Sequence, residues 1–67
     1  MAVTKAVVTN LVGTAAKRAN LTPAETLWLK NWTAKWTPAF TTKPEYTVRT
    51  VITMATNAAT YAATHAV

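Results

Sequence analysis

The tetrapeptide Thr22–Pro23–Ala24–Glu25 restricts this chain more than any other stretch of it. A threonine followed three residues later by glutamate can form a reciprocal capping box, each side chain taking the other residue's backbone N–H. Proline suits the first helical position because the N–H it lacks would have no partner inside the helix. The motif therefore predicts a helix beginning at Pro23, a turn at Asn20–Leu21–Thr22, and an earlier element that ends near Ala19. Thr42–Lys43–Pro44–Glu45 repeats the grammar and predicts a further helix start. Two such starts divide the 67 residues into three segments.

The apolar periodicity of each segment is helical. Over 3–19, Val7, Val8, Leu11, Val12, Ala15 and Ala19 recur at three- and four-residue intervals, with Thr9, Asn10, Thr14 and Lys17 opposite. Gly13 lies mid-segment on the polar side, where it costs about 1 kcal/mol relative to Ala. Lys17 and Arg18 close this segment, and cations suit the carbonyl end of a helix. The second helix is expected over 23–36, stopping near Pro38. The third is expected over 43–66, with Val48, Val51, Ile52, Ala55, Ala59, Ala62 and Ala66 on one face and Thr50, Thr53, Asn57, Thr60 and Thr64 on the other. Thr is a poor helix former, so 46–53 also reads as a strand, but strict alternation is missing and the helical period persists. The expected fold is all-α: a single domain, 1–67, of three helices with the C-terminal one longest.

Composition removes most chemistry. Cys, Ser, Asp and Gln are absent, and His65, Glu25 and Glu45 are the only His and acidic residues. Cys and Ser nucleophiles, disulfide staples and Cys-built zinc sites are thereby excluded. Both glutamates read as capping groups, so no catalytic, metal or cofactor site is assigned, and the chain is expected not to be an enzyme and to have no small-molecule substrate. Of its hydrophobic residues (51% of the chain), 14 are Ala, which bring little surface to bury. A chain this short buries only about 60% of its unfolded surface, and small domains usually add staples, a metal or a partner. Association is the remaining common route.

The surface expected to serve it comes from two features. Trp28, Trp32 and Trp36, spaced four apart, spread over about 80° of one helix flank, and Leu29 extends it. Trp is over-represented at interface hot spots. The small-residue face of the third helix allows close backbone approach. The interface set is accordingly Leu29, Trp32, Trp36, Ala55, Ala59, Ala62 and Ala66. The leading expectation is a non-catalytic structural or accessory subunit that meets protein partners or other copies of itself. A formal charge of +5 favours acidic neighbours.

Two alternatives follow from the same residues. In its Lys and Trp content, short length and lack of Cys, the chain is similar in general composition to leaderless bacteriocins, which implies a cationic, membrane-active helical peptide acting at a membrane surface. The segment 50–67 carries no formal charge, but its five Thr, Asn57 and His65 make it too polar for a span. The second alternative is non-specific nucleic-acid binding, since the first two segments have the dimensions of a helix-turn-helix. Its recognition helix would begin Pro23–Ala24–Glu25–Thr26, offering a carboxylate and no Arg to the groove, so sequence-specific reading is not expected.

Overall fold

A computed structural model describes residues 3–65, and all regular structure within them is helical. Helix α1 spans Lys5–Ala19, α2 spans Pro23–Thr42 and α3 spans Val48–His65. Short connections fold consecutive helices back on one another, and each helix packs on both others in a bundle of 34 × 18 × 17 Å.

Each end has a local cause. At the start of α1 the Thr4 hydroxyl accepts the N–H of Val7 at 3.2 Å. Val3, just before this cap, and Val8 are both buried in the core, the arrangement of a hydrophobic staple. The helix thus begins at Lys5 and not at residue 3, because Val3 packs from outside it. At the other end Asn20 adopts a left-handed backbone, φ 53°. Its N–H reaches the Lys17 carbonyl at 3.2 Å, and the Leu21 N–H reaches that of Ala16 at 3.5 Å. This is Schellman closure, with Asn in the place Gly usually takes.

The box at α2 forms as expected. Glu25 Oε1 accepts the Thr22 N–H at 2.8 Å, and the Glu25 N–H donates to Thr22 Oγ1 at 3.2 Å. Thr22→Ala is expected to lower stability by about 1 kcal/mol, measured as a drop of roughly 4–8 °C in the thermal midpoint. An unchanged melt would mean that the cap contributes nothing.

Two boundaries differ from expectation. Helix α2 does not stop near Pro38 but continues to Thr42. An interior proline costs about 3 kcal/mol by removing one hydrogen bond and crowding the preceding turn. Phe40, two residues later, is fully buried and contacts the rings of Trp32, Trp36 and Tyr46. Burying a Phe side chain is worth about 1.5–3 kcal/mol, and each aromatic pair adds about 0.5–1.5 kcal/mol. Together they outweigh the proline, so the helix runs on.

The second correction concerns Thr42–Lys43–Pro44–Glu45, which caps nothing. In the first box the residue before proline is the cap itself, Thr22, which is extended. In the second it would be Lys43 at the first helical position. Proline disfavours helical geometry in the residue before it, and Lys43 is extended with φ −98° and ψ 120°. Helix α3 instead begins after Thr47, whose hydroxyl accepts the Thr50 N–H at 3.3 Å. Tyr46 before that cap and Val51 within the first turn both pack into the core. Among the described residues α2 thus has 20 residues and α3 has 18.

The core joins Val8, Val12 and Ala15 of α1, Leu29 and Phe40 of α2, and Val51, Ala55, Ala58, Ala59 and Ala62 of α3. On α3 the inward stripe is turned from the expected one. Ala58 faces in, while Val48 and Ile52 are about half exposed. The α1–α3 contact is the most extensive of the three, because alanines on α3 let the valines of α1 approach closely. The abundant Thr costs the helices little in unsatisfied groups. Ten threonine hydroxyls, from Thr9 to Thr64, donate to the carbonyl four residues earlier. Among the described residues no buried side-chain polar atom lacks a partner.

Candidate functional site

The expected interface residues separate into two groups. Leu29, Ala55, Ala59 and Ala62 are each at most 2% exposed, covered by the chain's own helices. The alanine face receives α1 and is not open to another chain. Ala66 lies outside the described residues. Trp32 and Trp36 remain half-buried, as does Trp28.

These three indoles form one wall of an open groove of about 510 Å³ between α2 and α3. Met54, Ala58 and Tyr61 of α3 form the other wall, with Asn57 as its polar member. Four-residue spacing places the Trp rings along one flank of α2, adjacent to the Leu29–Phe40 stripe that enters the core. The rings are therefore seated at their base and open at their edges.

Aromatic contacts divide the groove into a fixed end and a freer one. Trp36 stacks on Phe40 with centroids 5.8 Å apart, and Trp32 lies 6.0 Å from Phe40 and 6.1 Å from Trp36. Tyr46 closes this end, edge-on to Phe40 at 5.1 Å and to Trp36 at 6.4 Å. At the other end Trp28 meets Tyr61 at 5.2 Å, and Tyr61 stacks on His65 at 4.3 Å. Tyr61 is half exposed. Residues Trp36 and Phe40 thus hold the groove in place, while Trp28 and Tyr61 present surface.

Tyr46, Met54, Ala58 and Tyr61 are not among the residues expected from the sequence. Met54 and Tyr61, seven residues apart, stand one flank away from the core stripe of α3, and that spacing is legible. Phe40 escapes a local reading because Pro38 ends the expected second helix before it. The four-residue series Trp28, Trp32, Trp36 continues to Phe40 across Pro38, and that is the signal that points to it.

Glu25 is engaged in its cap, and Glu45 sits exposed in the turn before α3. His65 is exposed, its Nδ1 2.6 Å from the Thr64 hydroxyl. Among the described residues no three His, Cys, Asp or Glu side chains gather where they could hold a metal. No helix among them is long and apolar enough to cross a membrane. Comparison with family models, with curated proteins and with solved structures finds no match for this chain.

Proposed function

We propose that this chain is a non-catalytic helical subunit that docks onto another protein through the groove between α2 and α3. The observation that carries this reading is the row of half-buried indoles. Trp28, Trp32 and Trp36 face Met54 and Tyr61 across an open apolar trough whose inner end is fixed by Phe40. Antiparallel helices enclosing such a trough fit a third helix laid between them, the mode in which amphipathic segments enter hydrophobic grooves. The chain's charge of +5 favours a helix whose flanks are acidic. Lys35 stands on the outer side of the Trp flank, where it can meet such a residue at the rim. Aromatic anchors then supply most of the affinity, and the basic residues select the partner.

The two walls respond differently to mutation. Trp28→Ala and Tyr61→Ala are expected to weaken association by at least about 1–2 kcal/mol each while leaving helix content unchanged. Trp36→Ala is expected to lower the melting temperature as well, because Phe40 and Tyr46 lose a ring they pack against. The mass of the native particle recovered from the source cell, together with circular dichroism of each variant, checks this. A lone 7.2 kDa species in the native extract would overturn the reading. So would release of dye from anionic liposomes at submicromolar protein, which belongs to the membrane-active alternative. Retention of nucleic acid at low salt, lost steeply as salt is added, would favour the other alternative.

A further inference from the structure

A second concavity, separate from the Trp groove, lies between α1 and α2. We infer that this cleft binds a single-chain anionic amphiphile of the fatty-carboxylate class, its carboxylate on Lys5 at one end and its alkyl chain lying between the helices, past Lys30 on the rim, towards Ala16.

The cleft measures about 400 Å³, within the range of small-ligand sites. Its floor is Val12 and Leu29, both core residues. Its length on α1, from Lys5 to Ala16, is eleven residue-to-residue steps, about 16 Å at the helical rise. That is the length of an extended alkyl chain of medium size.

The position of Gly13 is the second observation. A glycine inside a helix weakens it, and such a residue usually serves close packing. Here it does not: a Cβ built on Gly13 would meet nothing within 4 Å. Its effect is to leave the middle of the cleft empty.

The walls are less polar than their residue types suggest. The hydroxyls of Thr9, Thr33 and Thr37 each donate to the carbonyl four residues earlier on their own helix. Their donors are spent, so their methyl groups can serve as cleft lining. The polar side-chain groups that remain are the Thr26 hydroxyl and the two ammonium groups, Lys5 on one wall and Lys30 on the other. An apolar trough with one cation at its end and a second along its rim complements a carboxylate carrying an alkyl chain. A neutral lipid or a cationic one would leave those charges unused.

Titration of the labelled protein with dodecanoate below its micelle concentration tests this by amide chemical shifts. Saturable shifts are expected at Gly13, Ala16 and Ala34. Gly13→Leu, which adds a helix-favouring side chain in open space, should weaken binding at least about tenfold with helix content retained. Ala34→Leu fills the cleft from the opposite wall and should do the same. The double variant Lys5→Gln, Lys30→Gln should weaken dodecanoate by about fivefold while leaving dodecanol unchanged. Absence of saturation, affinity unchanged from the wild type in both cleft-filling variants, or shifts confined to Trp28, Trp32 and Tyr61 would each overturn the assignment. Self-association that Gly13→Leu abolishes, without dodecanoate binding, would give the cleft to a second copy instead. Failure of dodecanoate to bind the α1–α2 cleft leaves protein docking at the Trp groove standing, and Trp28→Ala tests that separately.

Discussion

Phe40→Ala is expected to destabilise the chain by about 3–5 kcal/mol, the usual range for truncating a buried Phe. A chain of this size has a total stability of roughly 3–10 kcal/mol, so much of the population should unfold. The midpoint of a thermal melt should fall by about 15–30 °C. Phe40 is fully buried and touches three other aromatic rings, and the core around it is largely alanine and valine. Apart from the three rings that Phe40 holds in place, the surrounding core side chains are too small to fill the space. Loss of near-ultraviolet ellipticity from the Trp residues should accompany the shift, because Trp32 and Trp36 are held against the lost ring. A fall of less than about 5 °C would show that Phe40 is not what keeps the end of α2 helical.

Pro38→Ala has the second-largest expected effect, with the opposite sign. Proline at this position denies the Ala34 carbonyl its helical partner, and an alanine N–H can supply it. The proline is exposed, so its removal empties no part of the core. A gain of roughly 1–3 kcal/mol is expected, seen as a rise in the melting midpoint of at least about 5 °C. A lower midpoint would mean that the backbone geometry imposed by Pro38 is what aims Phe40 inward. The two variants together separate the cost of the proline from the gain of the ring beyond it.

The contrast between the two Thr-to-Glu tetrapeptides shows how much such a motif carries. Both have a threonine, a proline and a glutamate, yet only the first caps a helix. The difference is the proline's position, since the extended residue before it coincides with the cap at Thr22 and collides with helical geometry at Lys43. That distinction is present in the primary structure and follows from backbone sterics. The start of α3 is equally legible, since Thr47 has Tyr46 before it and Val51 four residues after. The end of α2 is not. Local rules stop a helix near Pro38, and only the environment of Phe40 carries it past that point.

The interface residues follow a similar division. Periodicity places Leu29, Ala55, Ala59 and Ala62 on apolar faces, and they are apolar contact residues, but their contacts are made within the chain. Trp32 and Trp36 occupy the flank expected of them, while the opposite wall of Met54 and Tyr61 emerges only when α3 is laid beside α2.

From the amino acids alone came three helices, the turn at Asn20–Thr22, the capping box at Thr22, and the absence of any Cys or Ser nucleophile. These depend on bonds and periodicities that span four or five residues, or on side chains that are simply missing. Tertiary packing decided the length of α2, the inward turn of Ala58 with Val48 and Ile52 left outside, and where clefts remain open between the helices. Helical spacing fixes where residues stand relative to one another around one axis. It does not say how far that axis is rotated towards its neighbours, and that rotation is set by whichever combination of large and small side chains fills the space between three helices best.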